Sequence, residues 1–285
     1  MKGLTKVEFT NLDKVLYPSI KLTKKQVIEY YIRIAPRLLG ILKDRPLSLK
    51  RFPDGVGGEG FFEKDAPKGT PSWVKIFRKY SNTARREINY IICNDLDTLA
   101  WIANLAALEI HIPLSRSQHI EMPDFIFFDI DPEPPLTFDD TLEVTLILKE
   151  YLDRLNLVSF VKTSGKKGLH VLVPLAEGFN YKQTREFVHA VGMLLSKESQ
   201  IVVSEFSQSQ KPGTVFIDYG QNSHGKTMVS PYSLRATDMA TVSTPLPWSK
   251  IKKGISPEDF TIFTVPGLND PWEGLMETKQ KLELR

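Results

Sequence analysis

The chain has 285 residues, of which 41% are hydrophobic and 25% charged, and this composition excludes wholesale disorder. Its one cysteine, Cys93, excludes intrachain disulfides and a cysteine-rich structural zinc site. No apolar run approaches the ~20 residues of a membrane span, and the start, MKGLTKVEF, lacks the apolar core of a secretory signal. We therefore expect a cytoplasmic protein without a membrane partner.

The formal net charge of +3 conceals an uneven distribution along the chain. Residues 1–90 hold 19 lysines and arginines against 9 acidic residues, a net of +10, whereas residues 91–285 hold 18 against 25, a net of −7. A basic block predicts a polyanionic partner, and an acidic remainder can hold metal ions. Chance clustering of solvated surface charges is the alternative interpretation.

The first part of the chain predicts a helix among short strands. VEFTNL predicts a strand, and Thr23 and Gln26 have the capping-box spacing that opens a helix, which we expect to end near Lys43. PLSLKRF and REINYIICN predict strands, whereas FFEKDAPKGTPSW is punctuated by proline and glycine and predicts a loop. Asp97 is positioned to cap a further helix over TLAWIANLAALEIHI.

The second part mixes strands with two amphipathic helices. PDFIFFDIDP predicts a very apolar strand, and FDDTLEVTLILKEYLDRL predicts a helix. VSFVKT and LHVLVPL predict strands on either side of a tight turn, and Asn180 can cap the helix YKQTREFVHAVGMLLSK. QIVVSEF and TVFIDYG predict further strands. Because strands and helices do not alternate strictly, the pattern favours an α+β fold with largely antiparallel sheets.

Three aspartates in strand-like segments are candidate metal ligands. Asp129 and Asp131 are two residues apart in DFIFFDIDP, so both carboxylates face one way while the apolar residues face a core. Asp218 lies among apolar residues in TVFIDYG. Such carboxylates suit Mg²⁺ or Mn²⁺, and three of them can hold two ions at a phosphate. The alternative interpretation is a strand end that enters a polar loop for Asp129 and Asp131, and a salt-bridged or capping aspartate for Asp218.

The turn SGKKG, residues 164–168, is a candidate phosphate-binding loop. Its glycines allow close approach of the backbone to a ligand, its lysines add positive charge, and His170 after it can donate to a phosphate oxygen. It is not a Walker A loop, which requires G-x-x-x-x-G-K-[ST] at the start of a helix. An ordinary hairpin turn, followed by a core histidine, is the alternative interpretation.

The segments DFIFFDIDP, KTSGKKGLH and VFIDYGQN, with PYSLR after them, together resemble the archaeo-eukaryotic primase superfamily, in particular the polymerase domain of bacterial DNA ligase D. The resemblance runs from NLDKVLYP to about STPLPW. It implies a primase-polymerase fold, with an RRM-like catalytic sheet and a second α/β module packed against it. We expect one catalytic domain over residues 1–285, with a DNA-end-binding part at 1–110, the metal and nucleotide site at 111–245 and a C-terminal packing segment at 246–285.

The resemblance implies a template-dependent nucleotidyltransferase that acts in non-homologous end joining. It would bind 5′-phosphorylated DNA ends or gaps and add nucleotides, preferentially ribonucleotides, to a 3′-hydroxyl with two Mn²⁺ or Mg²⁺ ions. Asp129, Asp131 and Asp218 would be the catalytic residues and the metal ligands. By the same resemblance, the nucleotide-binding residues would be Ser164, Lys167, His170, His111, Lys50, Gln221, Lys226 and Arg235. A helix over LEIHI would place His111 on the same face as Asn104, with a buried structural histidine as the alternative.

DNA contacts are also implied by the resemblance. Lys14 and Lys24 would grip the 5′-phosphate of a downstream strand, and Phe61 and Phe62 would stack on the template. For the two phenylalanines, a core pair beneath a loop is the alternative. Lys211 stands where the family usually has arginine, and a lysine lacks the bidentate fork of arginine, so this phosphate contact is expected to be weaker.

Two further functions remain open from the sequence. A metal-dependent nuclease also uses clustered carboxylates, and a DNA-end-binding module needs only the basic surface. The chain has no ligase lysine motif of the KxDG type and no nuclease segment. End joining would therefore require a separate DNA ligase and end-binding repair proteins.

Overall fold

The computed structural model describes residues 3–81 and 84–282, and the chain divides into two compact units. One unit comprises the chain up to Gln118 together with Thr227–Ser243 and Phe260–Leu268. The other comprises His119–Lys226, Thr244–Asp259 and the chain from Asn269 onward. The single catalytic domain with divisions at residues 110 and 245 stays a prediction.

Helices and strands alternate irregularly along the described chain. The helices are α1 (Lys24–Leu42), α2 (Leu96–Asn104), α3 (Phe138–Arg154) and α4 (Tyr181–Glu198). The strands are β1 (Val15–Tyr17), β2 (Leu22–Thr23), β3 (Ser48–Arg51), β4 (Phe61–Glu63), β5 (Lys75–Ser81), β6 (Arg86–Ile92), β7 (Ala107–Ile112), β8 (Phe125–Pro132), β9 (Phe160–Thr163), β10 (Leu169–Pro174), β11 (Val202–Val203), β12 (Val215–Ile217), β13 (Met228–Val229) and β14 (Pro245–Leu246). Within the described residues, no helix combines the length and the apolar composition needed to cross a membrane.

The first unit contains a four-stranded sheet in the order β13-β7-β3-β4, the hairpins β1–β2 and β5–β6, and the helices α1 and α2. The predicted capping box of α1 is confirmed, because Thr23 accepts from the backbone N–H of Gln26 while the Gln26 side chain accepts from the N–H of Thr23. The predicted apolar stripe of α1 is buried and includes Val27, Tyr31 and Leu38.

One helix prediction is wrong in its second half. The helix α2 ends at Asn104, and the segment LEIHI belongs to strand β7, so Asn104 and His111 do not share a helix face. Ala106 has a φ of 56°, which breaks the helix, and every residue of β7 is buried while the strand pairs with β3 and β13. Sheet pairing therefore overrides the local helix preference. The N-cap is Asp95 rather than Asp97.

Two strand assignments near the amino terminus are also corrected. VEFTNL forms no strand, and the first strand of the described chain begins at Val15. Phe61 and Phe62 lie on strand β4 rather than in a loop, and their exposed fractions are 43% and 57%. The interpretation of these two residues as a buried core pair is therefore wrong.

The second unit contains a six-stranded sheet in the order β11-β12-β8-β10-β9-β14. The pair β11–β12 is parallel, and the other pairs are antiparallel. Helix α3 packs against β8 and β10, and helix α4 packs against β8 and β11. These features confirm the predicted α+β class with largely antiparallel sheets.

Strand β8 occupies the interior of this sheet, and near its end apolar residues alternate with two carboxylates. Ile126, Phe128 and Ile130 are fully buried, as expected for residues that face a core. Asp129 and Asp131 alternate with them along the strand and are only partly buried. Because side chains alternate along a strand, the two carboxylates share one face of the sheet, as predicted.

Candidate active site

Lys162, His170 and Asp129 lie directly opposite one another on the neighbouring strands β9, β10 and β8. Nζ of Lys162 lies 2.6 Å from Nδ1 of His170, and Nε2 of His170 lies 3.1 Å from Oδ1 of Asp129. Lys162 is fully buried and His170 is 5% exposed. The strand register therefore builds a shielded row of three ionisable side chains that ends at a candidate metal ligand.

Lys162 and Asp129 flank the ring of His170. An ammonium group on Lys162 has donors and no acceptor, and would donate to Nδ1 of His170. Nε2 lies 3.1 Å from Oδ1 of Asp129, but the pair lacks hydrogen-bond geometry. The ring also packs edge-on against Phe127, with centroids 4.9 Å apart. Packing and Lys162 together hold the ring of His170 beside Asp129.

Gly168 provides the space that Asp131 occupies. A Cβ atom at residue 168 would lie 2.2 Å from Oδ1 of Asp131 and 2.4 Å from the carbonyl oxygen of Ile130. Both distances are well inside van der Waals contact, and one of the two atoms is backbone. The second carboxylate of the pair therefore depends on the absence of a side chain in the neighbouring turn.

Asp218 follows strand β12 directly and is held close to β8. Its backbone N–H donates to the carbonyl of Asp129 at 3.1 Å, and its carboxylate accepts from the N–H of Gly220 at 2.8 Å and from Nε2 of Gln221 at 2.9 Å. Burial raises the pKa of Asp218, and the charge of Asp129 raises it further. The hydrogen bonds from Gln221 and Gly220 and the charge of Lys226 oppose this rise.

The turn SGKKG closes the hairpin β9–β10. Oγ of Ser164 accepts from the backbone N–H of Gly168 at 3.1 Å and of Lys166 at 3.2 Å, so the serine hydroxyl holds the loop together. Gly165 has a φ of 74°, a left-handed conformation that favours glycine. Nζ of Lys167 lies 3.1 Å from Oε1 of Glu133 and is half exposed. The loop therefore presents its lysine beside the end of β8.

The three aspartates suit a hard divalent cation. They offer oxygen donors, and the repulsion between Asp129 and Asp218 is the situation that such a cation relieves. In the part of the chain that the structure describes, no group of three or more His, Cys, Asp or Glu side chains is gathered closely enough to hold a metal ion. Oxygen donors are the ligands that Mg²⁺ or Mn²⁺ prefers, whereas the three carboxylates as described do not converge on one point.

The first unit contains a separate polar cluster around Glu109. Oε2 of Glu109 lies 3.0 Å from Nε2 of His111, and Oε1 lies 3.3 Å from Nε of Arg235. Glu109 is 1% exposed, and burial acts against its charge. The hydrogen bond from His111 and the charge of Arg235 outweigh burial and hold the pKa of Glu109 below its ordinary range. His111 and Arg235 are therefore tied to one buried carboxylate.

Lys50 and Phe62 extend this cluster across the sheet. Lys50 pairs with Glu109 in the β3–β7 register and with Phe62 in the β3–β4 register. Its Nζ lies 5.5 Å from the ring centroid of Phe62, and that ring is 5.1 Å from the ring of His111. Arg51 lies over Phe61 in the same way, at 5.5 Å. An exposed aromatic surface beside cationic groups is suited to stacking with bases.

Lys14 and Lys24 are neighbours in space. The backbone N–H of Lys24 donates to the carbonyl of Lys14 at 2.8 Å. Nζ of Lys14 pairs with the exposed carboxylate of Asp54 at 2.9 Å, whereas Nζ of Lys24 donates to the backbone carbonyl of Asn104 at 2.9 Å. Burial lowers the pKa of Lys24, and the charge of Lys14 lowers it further. The structure thus brings the two lysines together, with only Lys14 openly accessible.

Comparison with known proteins identifies the family. The model of the LigD primase-polymerase domain matches residues 23–272 of the chain. The chain belongs to this family. As a LigD-type primase-polymerase it is a nucleotidyltransferase. A solved structure, the polymerase domain of Mycobacterium tuberculosis ligase D in complex with DNA, matches with a TM-score of 0.88 and 30% identity, covering 96% of this chain and 99% of that one. This match confirms the expected primase-polymerase fold.

Curated relatives of this primase-polymerase are longer proteins. The bifunctional non-homologous end joining protein LigD of Bacillus subtilis is 33% identical over 262 residues, which cover 91% of this chain and 42% of the relative. The multifunctional non-homologous end joining protein LigD of Mycolicibacterium smegmatis is 36% identical over 257 residues, which cover 88% and 33%. The chain therefore spans less than half the length of either relative.

Three residues that contact the candidate side chains of this primase-polymerase are not identified by the sequence alone. Lys162 appears in VSFVKT as an ordinary strand lysine, and only the strand register places it opposite His170. Glu109 was assigned to a helix, although its position two residues before His111 in a strand would have put both on one face. Gly168 was noted only as part of the turn. The sequence does offer one signal for two of these residues: Lys162 and Glu109 are each a charged residue within an otherwise apolar run.

Proposed function

We propose that the chain is a template-dependent primase-polymerase that extends a 3′-hydroxyl at 5′-phosphorylated DNA ends or gaps during non-homologous end joining. The observation that carries the proposal is the placement of Asp129 and Asp131 on β8 and of Asp218 directly after the adjacent strand β12, in a chain of the LigD primase-polymerase family. DNA binding is supported by the similarity to a polymerase domain whose structure contains DNA.

Asp129, Asp131 and Asp218 would hold two Mn²⁺ or Mg²⁺ ions. When bound, the ions would stabilise the negative charge that develops on the transferred phosphate. His170 orients Asp129, and Gln221 together with the Gly220 N–H orients Asp218. Asp218 is the carboxylate that we assign to the neighbourhood of the attacking 3′-hydroxyl. These contacts orient two of the three carboxylates, which would still have to converge on an ion.

Each unit contains residues that we assign to nucleotide binding. In the second unit we assign Lys167, Lys226 and the N–H groups of the SGKKG loop to the triphosphate. In the first unit we assign Arg235, Lys50 and His111 to the nucleotide, with Glu109 as the buried anchor of His111 and Arg235. Ser164 is 5% exposed, and its hydroxyl already binds two loop N–H groups.

A preference for ribonucleotides is the finer part of the proposal. We assign Ser164 to the sensing of the ribose 2′-hydroxyl through the loop that it holds together. Replacement Ser164→Ala is expected to narrow the ratio of ribonucleotide to deoxyribonucleotide incorporation. An unchanged ratio would remove Ser164 from sugar recognition.

DNA would be held by sequence-independent contacts. Lys14 and Lys24 are assigned to a 5′-phosphate, and the exposed rings of Phe61 and Phe62 are assigned to the template. Stacking of this kind is worth ~1–3 kcal/mol per base and tolerates any sequence. A DNA ligase activity and end-binding repair proteins would complete the joining reaction.

Primer extension on a 5′-phosphorylated gapped duplex, with Mn²⁺ and nucleoside triphosphates, tests the proposal. The wild-type chain is expected to extend the primer, and the double replacement Asp129→Ala with Asp131→Ala is expected to abolish extension. A matched control removes the exposed carboxylates of α3, Asp139→Ala with Asp153→Ala, and should extend normally. Extension that survives loss of Asp129 and Asp131 would contradict the metal assignment.

The same samples separate the two other functions. DNA cleavage in the presence of metal but without nucleotides would identify a nuclease, which needs no triphosphate site. Tight binding to 5′-phosphorylated ends without extension under any divalent metal would identify a non-catalytic end-binding module. Either outcome would overturn the polymerase proposal.

A further inference from the structure

A cavity of about 560 Å³ lies in the second unit, between the first turns of α4 and the residues that follow Asp218. This volume lies within the usual range of ligand-binding pockets and is large enough for a nucleotide-sized group. The side chains that carry the argument are Tyr181, Lys182, Arg185, Tyr219, Ser223 and His224. They combine aromatic rings, cations and a hydroxyl, which are the groups that bind a nucleic-acid strand independently of its sequence.

Tyr219 is fixed on one side of the cavity by contacts with three neighbours. The guanidinium carbon of Arg185 lies 5.1 Å from the centroid of the Tyr219 ring. The rings of His189 and Phe206 lie 4.3 Å and 4.7 Å from it. Within the described residues, Arg185 forms no ion pair with a carboxylate, and its side chain is exposed. Its guanidinium is therefore positioned by the ring and available to an anion.

The other side of the cavity carries a second aromatic contact and a second cation. The rings of Tyr181 and His224 meet edge to face at 5.5 Å, and Nε2 of His224 lies 3.1 Å from Glu121. Lys182 is one turn before Arg185 on α4, and its pair with Glu186 is long, at 3.8 Å, and highly exposed. Such exposed pairs contribute little, so Lys182 can exchange Glu186 for a phosphate.

The cavity wall and the candidate catalytic aspartate form one piece of structure. Tyr219 is the next residue after Asp218, and Gln221 in the same turn donates to the Asp218 carboxylate. A Cβ atom on Gly220 would lie 2.4 Å from the Phe206 ring and 2.9 Å from Oδ1 of Asp218. A DNA strand whose 3′-hydroxyl lies at Asp218 would therefore lie next to the cavity, because the turn that follows Asp218 forms the cavity wall.

We propose that this cavity binds the primer strand a short distance upstream of its 3′ end. Lys182 and Arg185 contact backbone phosphates, and Tyr181 and His224 contact a sugar or base. The inference rests on the proposed polymerase function and names a further binding site for its DNA. A free nucleoside triphosphate fits less well, because two cations beside Glu186 match the single charges of phosphodiesters better than the concentrated charge of a triphosphate.

The test measures equilibrium binding of the full chain to a labelled primer–template duplex by fluorescence anisotropy, without divalent metal. The double replacement Lys182→Ala with Arg185→Ala is expected to weaken binding, and to reduce the slope of log Kd against log salt by about 2, or about 1 for each phosphate contact. The matched control Arg154→Ala with Lys197→Ala removes the same charge from the ends of α3 and α4 and should keep the wild-type slope.

A second readout locates the strand directly. Primer strands that carry 5-iododeoxyuridine at successive positions upstream of the 3′ end should photo-crosslink to Tyr181 or Tyr219. Wild-type affinity and slope in the Lys182/Arg185 variant, or crosslinks confined to other residues, would overturn the proposal. Loss of triphosphate affinity with unchanged DNA affinity would overturn it in favour of a free nucleotide.

The test of the primer-binding cavity can be separated from the test of the proposed polymerase function. Asp129→Ala with Asp131→Ala abolishes extension if the polymerase proposal holds, but it leaves the cavity and its crosslinks in place. A wild-type chain that binds no primer–template duplex would overturn both proposals. A chain that binds and extends DNA without the cavity residues would overturn only this one.

Discussion

Nζ of Lys162 lies 2.6 Å from Nδ1 of His170, and both side chains are buried. We expect Lys162→Met to reduce primer extension by about 10–100-fold, the usual effect of removing a partner that orients a metal-binding group. Without the ammonium group, the ring of His170 loses its partner at Nδ1 and can move away from Asp129. Steady-state extension with Mn²⁺ measures the effect.

A double-mutant comparison separates this role from a structural one. Lys162→Met leaves Nδ1 of the buried His170 without its partner, which typically costs ~1–3 kcal/mol of stability. His170→Ala combined with Lys162→Met should cost little more activity than His170→Ala alone, because both act through Asp129. Full additivity of the two replacements would contradict the row Lys162–His170–Asp129.

Gly168→Ala tests the space that Asp131 occupies. The new Cβ atom would lie 2.2 Å from Oδ1 of Asp131, so either the carboxylate or the turn must move. We expect a loss of about 2 kcal/mol in the free energy of unfolding, typical of overpacking, together with loss of metal-dependent extension. Urea unfolding and extension assays measure the two effects.

Gly40→Ala is the matched control for this replacement. Gly40 lies in α1, and a Cβ atom there meets nothing within 4 Å. Alanine should therefore stabilise the helix by roughly 0.5–1 kcal/mol and leave extension unchanged. Normal extension by the Gly168→Ala variant would show that the loop can move without disturbing Asp131.

The sequence predicts the parts of this site that depend on local pattern. Alternation in FIFFDIDP is enough to place Asp129 and Asp131 on one face, and the capping box at Thr23 is enough to begin α1. Non-local pairing is not visible in this way. LEIHI contains good helix formers, yet β7 is buried between two strands, and Lys162 acquires its partner only through the register with β10. The roles of these residues depend on neighbours that are brought close only when the chain folds.

Lys14 is the accessible probe of 5′-phosphate recognition. Lys14→Ala should weaken binding to 5′-phosphorylated ends by several-fold more than to 5′-hydroxyl ends, because a phosphate contact depends on that charge. Asp54→Asn removes the exposed carboxylate that Lys14 pairs with, so it should keep or strengthen the phosphate preference. Equal losses on both ends would mean that Lys14 contributes only to the general positive field.

Lys24 needs a different measurement, because its Nζ donates to the carbonyl of Asn104 and the side chain is 5% exposed. Lys24→Ala leaves that carbonyl without its donor, which typically costs ~1–3 kcal/mol. We therefore expect the variant to unfold at lower urea concentration in addition to any loss of DNA affinity. If stability is unchanged, the hydrogen bond from Lys24 to Asn104 contributes little, and the lysine acts mainly through its contact with DNA.

Asp44 links the end of α1 to the hairpin β5–β6 and should make stability sensitive to acid. Its carboxylate accepts from Nζ of Lys75 and from Nδ2 of Asn94, both at 2.8 Å, and these hydrogen bonds lower its pKa from 3.8 to about 2. The unfolded chain takes up the proton first, so the stabilisation is present above pH 3.8 and is lost as pH falls towards 2. Asp44→Asn should cost roughly 1–2 kcal/mol at neutral pH, a figure reduced for the exposure of Lys75. Urea unfolding of both proteins should converge as the pH approaches 2, and a difference independent of pH would contradict this origin.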